Sequence, residues 1–224
     1  MNHMKAQDSI TGFALTMDQR ASRLNDDRVP EALEHLNGAL GRALDLRFER
    51  TAGDEVQALT RYPGAVVRAV VETARLGGWR LGIGLGQVET PLPDSTRAAR
   101  GGAYLAARTA IGDARKVASG IALVAANERG RTVSGPGYGE SVRHAETALW
   151  LVHELASRRS AQGWEVVDML DQGMTSAQVA DELGISPSAV SQRVRLAHRL
   201  EVQRGAELST RLLADALTHA QAAR

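Results

Sequence analysis

Six polar side chains between Ser188 and Arg199 carry the most specific chemistry in this sequence. Ser188, Ser191, Gln192, Arg193, Arg195 and Arg199 are donors and acceptors of the kind that bond to base edges and phosphate oxygens in a DNA groove. They can act together only if one short helix presents them. The residues just before them specify that helix: Ser186 is suited to cap it, and Pro187 takes the first-turn position, where no amide donor is needed. Val190, Val194 and Ala197 then form its inward face. Upstream, Thr175 and Gln178 have capping-box spacing, Val179, Ala180 and Leu183 share a face, Gly184 stops the helix and Ile185 plugs the corner. Residues 175–196 therefore predict two short helices joined by a tight turn, with Thr175 and Ser186 joining the candidate DNA contacts. A helical hairpin used only for packing meets the same periodicity.

The segment resembles the helix-turn-helix of sigma-factor region four and of LuxR-type regulators, in which the helix after the "GIS" turn enters the major groove. That resemblance implies double-stranded DNA as a partner. Net charge does not supply the attraction: 27 basic against 26 acidic residues leave +1, so any nucleic-acid contact is a local patch. A chain of 224 residues, 43% of them hydrophobic, suffices for two domains with a core each. Cysteine is absent, which excludes thiolate metal sites and disulfides. No apolar run is long enough to span a bilayer, and the first ten residues lack the apolar core of a signal peptide. The expectation is a cytoplasmic, nucleoid-associated protein with no membrane partner.

Before that segment the chain alternates strands and helices. Residues 1–10 have no periodicity and predict a loose arm. Residues 11–17 form an apolar run suited to a buried strand ending on Asp18, and Pro30 opens a helix with Leu33, Leu36, Leu40 and Leu44 as its buried stripe. Leu46 and Phe48 alternate with charged residues, Ala52, Gly53 and Asp54 make a turn, and Val56 starts the return strand of a hairpin. Pro63 begins a helix that Gly77 and Gly78 end; Trp79, Leu81, Ile83 and Leu85 alternate through a fourth strand. A helix around residues 101–115 and a strand over 121–126 follow. The order is β-α-β-β-α-β, then α-β, an α+β fold of ferredoxin-like type.

That order resembles the catalytic domain shared by class III nucleotide cyclases and diguanylate cyclases, and more closely the bacterial SatD-like family with its similar "GDE" hairpin. The residues that carry the resemblance are FALTMDQRAS, RFERTAGDEVQAL, WRLGIGLGQV and GGAYLAAR. It implies metal-binding aspartates at Asp18 and Asp54, an arginine at Arg108 touching a triphosphate, and Mg²⁺ with a purine nucleotide as the ligand. Two carboxylates suffice for Mg²⁺, which keeps several of its waters. A strand-end turn and a hairpin turn are the alternative uses of these aspartates. Two departures separate the chain from active members: Tyr104 stands where cyclases place a transition-state asparagine, and Ala52 where diguanylate cyclases need glycine. A retained fold without activity is the expectation.

The remaining motifs are weaker. Gly82, Gly84 and Gly86 lie within a strand and fit close packing better than a phosphate loop. The six histidines lack metal-ligand spacing, and His144 and His153 sit in a predicted helix. Residues 10–128 are read as the cyclase-like domain, 129–140 as a glycine-rich linker, and 141–224 as a helical connector and DNA-binding domain. Leucines after Leu196, on a helix expected to be broken or bent near Gly205, suggest a homodimer. The function expected is a DNA-binding transcriptional regulator whose α/β part senses a nucleotide or dimerises. A Mg²⁺-dependent nucleotide-converting enzyme targeted by the same helices, or an architectural protein, are the other readings.

Overall fold

Alternation along β1 (Ser9–Gln19) and β4 (Trp79–Glu89) sorts the core onto two faces of one sheet. Phe13, Leu15, Met17, Leu81, Ile83 and Leu85 face one side, while Ala14, Gly82, Gly84 and Gly86 face the other. The hairpin β2 (Leu46–Ala52) and β3 (Glu55–Thr60) lies beside β1, and β5 (Ile121–Ala125) lies beyond β4. The order is β2-β3-β1-β4-β5, antiparallel except for the parallel pair β4 and β5. The computed structural model describes residues 9–127, 130–134 and 137–222. Most of the arm expected over residues 1–10, and residues 129, 135 and 136 of the expected linker, lie outside them.

The leucine-bearing face is covered by α1 (Val29–Leu40), α2 (Pro63–Leu76), α4 (Tyr138–Ser157) and α8 (Arg199–Ala222), all contributing to one apolar core. In α1 the buried stripe is Val29, Ala32, Leu36 and Leu40; the helix ends at Leu40, and Leu44, expected to extend the stripe, is in extended backbone after a single 3₁₀ turn. Sequence periodicity groups α4 and α8 with the helical C-terminal part. In the structure Leu149 and Leu213 lie in the same core as the sheet, since periodicity shows that a helix face is buried but not against what. The break expected near Gly205 does not occur: α8 runs through it as one continuous helix, and a Cβ there would stand 2.8 Å from Val152 Cγ2. Glycine serves here for close approach between α8 and α4.

Among the described residues, α3 (Gly102–Ala114) is the helix that covers the glycine-bearing face. Its inner residues Ala103, Ala107 and Ala110 meet the strand glycines so closely that a Cβ on Gly82 would lie 2.3 Å from the Ile111 amide nitrogen. Close packing is thus the use of these glycines.

Side chains pair backbone groups at both edges of the sheet. At β2, the Asn37 carboxamide accepts from the Phe48 amide and donates to the Phe48 carbonyl, both at 2.9 Å. At β5, Trp150 Nε1 donates to the Ile121 carbonyl at 2.6 Å and Glu146 Oε1 accepts from the Leu123 amide at 2.9 Å.

The last layer is a trio of helices, α5 (Ala161–Asp171), α6 (Ser176–Leu183) and α7 (Pro187–Leu196), around a separate core of Val166, Val179, Ala180 and Val190. It meets the sheet-bearing part at Trp164. The guanidinium carbons of Arg75 from α2 and Arg159 each lie 4.5 Å from the centre of that indole ring. Arg75 also pairs with Asp168 of α5, and Arg159 Nε donates to the Ala197 carbonyl at 2.8 Å.

Candidate functional site

Local chemistry fixes α6 and α7 before tertiary packing does. The Thr175 hydroxyl accepts from the Gln178 amide while Gln178 Oε1 accepts from the Thr175 amide at 2.8 Å, which completes the capping box. Gly184 adopts the left-handed conformation, at φ 61°, that turns the chain between the helices. Ser186 Oγ accepts from the Ala189 amide at 3.2 Å and starts α7 on Pro187. Val190 points fully inward, so the opposite face of α7 is held outward.

The candidate contacts divide by what already holds them. Thr175 and Ser186 are occupied as caps, and Ser188 shares a 2.8 Å hydrogen bond with Ser186. Ser191 Oγ donates back to the Pro187 carbonyl. Arg193 approaches Glu165 at 3.4 Å, and Arg199 is bound to Asp171 at 2.7 and 3.0 Å. The side chains of Gln192 and Arg195 are exposed and make no hydrogen bond or ion pair among the described residues. They are the two side chains of the set that stand ready for a partner outside the chain.

The structure brings Asp18 and Asp54 to one cleft of about 570 Å³, which Arg23, Arg80 and Arg115 also line. Asp18 is only 4% exposed. Its Oδ2 accepts from Arg115 Nη2 at 2.7 Å and Nε at 3.1 Å, and its Oδ1 faces Arg80 Nη1 at 3.5 Å. Hydrogen bonding to Asp18 raises the Arg115 pKa, with Asp54 and Glu55 adding to the effect. These residues do not fit a Mg²⁺ ion as they stand. A cation would have to displace a two-pronged guanidinium and sit beside two positive charges. Among the described residues no three His, Cys, Asp or Glu side chains converge as a metal-ligand group.

Arg108 and Tyr104 do not line this cleft. Arg115 follows the last turn of α3, so Tyr104 lies about 16 Å back along the helix. Arg108 is exposed, and Tyr104 hydrogen-bonds Thr96 Oγ1 at 3.2 Å with its pKa pushed up to about 12, mainly by burial. Arg80 and Arg115 were invisible as site residues in the sequence. Arg80 had one signal, its place beside Trp79 at the start of a strand that antiparallel pairing sets opposite Asp18.

Two buried titratable groups give the protein an acid limit. Burial and the nearby Arg20 charge push His153 down to about 4 from 6.5, with Glu154 opposing weakly. Glu72 is lowered in spite of its burial, because His35 hydrogen-bonds it and Arg68 and Arg75 stand beside it. An unfolded chain takes up a proton at the ordinary histidine value while the folded chain does not. Stability carried by neutral His153 is therefore full above about pH 6.5 and lost as pH falls towards about 4. The Glu72 contribution is present above its unfolded pKa and is lost as pH falls through its lowered one. Urea midpoints are expected to drop between about pH 7 and about pH 5, and His153→Asn should flatten that drop. An equal drop in the variant would remove His153 from the account.

Together these features define a mixed α+β protein with a five-stranded sheet and a helical trio that displays a polar helix face. No family model matches the chain, and no curated protein matches it. Among solved structures it is similar to a regulator of polyketide synthase expression from Bifidobacterium adolescentis, at 14% identity, over 96% of this chain and 82% of that one. The TM-score is 0.27, a superposition too loose to transfer a role. No helix among the described residues is long and apolar enough to cross a membrane.

Proposed function

We propose that this chain is a sequence-specific DNA-binding transcriptional regulator acting in the bacterial cytoplasm. In this reading α6 and α7 are a helix-turn-helix, α7 enters the major groove, and the sheet with α1 and α2 is a ferredoxin-like, cyclase-like body without catalysis. The observation that carries it is the cap-fixed helix α7 presenting Gln192 and Arg195 outward with no partner among the described residues. The strand order β2-β3-β1-β4 supports the ferredoxin-like assignment. Occupation of Asp18 by Arg115 supports a non-catalytic body that uses the domain for sensing or dimerisation.

Selection from random duplex DNA tests the reading. A preferred sequence should emerge, and Gln192→Ala should relax preference at one position at a cost of about 1–3 kcal/mol. Arg195→Ala should weaken binding more uniformly and flatten the salt dependence, while Arg199→Ala should do less because Asp171 already holds that side chain. Equal binding by the Gln192/Arg195 double variant would refute the assignment. A homodimer on an inverted repeat belongs to the same proposal, supported by Leu196, Leu200 and Leu208, which are more than half exposed near or along α8. Light scattering should give twice the chain mass. Product formed from a nucleoside triphosphate, and lost in Asp18→Asn, would overturn the non-catalytic reading.

A further inference from the structure

A second cavity, of about 240 Å³, lies where the end of β1, the end of α2, the start of β4 and the last turns of α4 meet. Arg20, Trp79, Ser119 and His153 are among its walls. The Arg20 guanidinium is held in place by two neutral groups, donating from Nε to the Trp79 carbonyl at 3.2 Å and from Nη2 to the Ser119 carbonyl at 3.3 Å. Neither partner neutralises it. Room for this side chain is made by Gly120, where a Cβ would stand 2.0 Å from Arg20 Nη2. Two polar atoms of the same walls are buried without a hydrogen-bond partner: Trp79 Nε1, on a residue 2% exposed, and His153 Nδ1, on a residue 9% exposed. Such orphans are costly unless something at the site pairs them. The other charged group on the lining, Glu154, is bound to Arg158 at 2.9 Å.

The Arg20 guanidinium meets no acceptor of matching charge on this lining, two ring nitrogens of lining residues are left without partners, and the volume suits one tetrahedral ion with its remaining waters. We propose that this cavity binds a small oxyanion of sulfate or phosphate type, held by Arg20, the indole N–H of Trp79 and a protonated His153. Binding takes up one proton, because the anion offsets both the burial and the Arg20 charge that keep the imidazole neutral. The cavity is separate from the Asp18 cleft and from α7, and the site does not depend on DNA recognition.

Sulfate is the probe of choice, because its charge is constant across the titration of a histidine. The His153 ring resonances of the full chain, assigned by their loss in His153→Gln, are followed against pH with and without sulfate. Sulfate should move the His153 midpoint upward by about one pH unit or more. Phosphate should do the same and acetate much less. Arg20→Gln should abolish the shift. Ser157→Asp, a change on the exposed rim, adds a repelling charge without touching the core and should weaken sulfate binding roughly tenfold. A His153 midpoint unmoved by sulfate in the wild type would overturn the proposal. So would a sulfate effect that persists undiminished in both variants.

Discussion

Gly84→Ala is expected to leave the protein unable to hold its native sheet. A Cβ at this position would stand 2.1 Å from the Ala103 carbonyl oxygen and 2.2 Å from the Ala107 amide nitrogen. Both are backbone atoms of a helix pressed against the strand, so no rotamer change relieves the clash. Overpacking in cores costs roughly 1–3 kcal/mol when side chains can yield, and more when they cannot. With typical domain stabilities of about 5–15 kcal/mol, a loss above about 3 should appear as a sharply lowered urea midpoint or as insoluble protein. Gly112→Ala is the control: it lies within α3 with nothing outside its own helix turn within 4 Å of the methyl group that alanine would add, and it should be at least as stable as wild type. A Gly84→Ala protein with an unchanged midpoint would show that α3 can lift from the sheet.

Trp164→Ala should act on a different part of the molecule, the joint between the sheet and the helical trio. The indole is partly buried between helices and receives two guanidinium groups, of which Arg159 is itself pushed down in pKa by burial. Losing the ring surface and both cation–π contacts should cost about 2–4 kcal/mol. The loss should be local. Amide exchange in α5, α6 and α7 should accelerate while β1 and β4 keep their protection, because the trio has its own core. Trp164→Phe, which keeps a ring for the two cations, should recover a large part of the difference. Uniform acceleration through the whole chain would show instead that sheet and trio unfold as one unit.

Much of the fold was legible because its signals are local. Leu81, Ile83 and Leu85 alternating with glycines state both faces of β4, and Thr175, Gln178, Gly184, Ser186 and Pro187 state where α6 begins and ends and where α7 begins; the end of α7 at Leu196 was not legible, and Arg199, expected on its exposed face, opens α8 instead. The gaps concern partners far apart in sequence. Asp18 reads equally as a metal ligand or a turn residue until Arg115, 97 positions on, is seen to hold it. Which arginines near α7 remain available depends on Glu165 and Asp171, each 28 positions earlier than the side chain it holds. Gly205 shows a further ambiguity. A glycine inside a helix pattern signals a bend or a close approach with the same letter, and only the neighbouring Val152 decides between them.

The side-chain pairing at the edges of the sheet bears on how this protein can meet copies of itself. Open strand edges are templates on which a second chain, folded or unfolded, can add by backbone pairing. Here Asn37 mimics the pairing of a missing strand at Phe48, and Trp150 with Glu146 does so at Ile121 and Leu123. At these positions the outward backbone groups are already satisfied, so backbone pairing with a second chain is hindered there and any contact between copies is left to side-chain surfaces. Substituting Asn37 or Glu146 would leave the backbone groups of Phe48, or the Leu123 amide, without the side-chain partner that stands in for a strand.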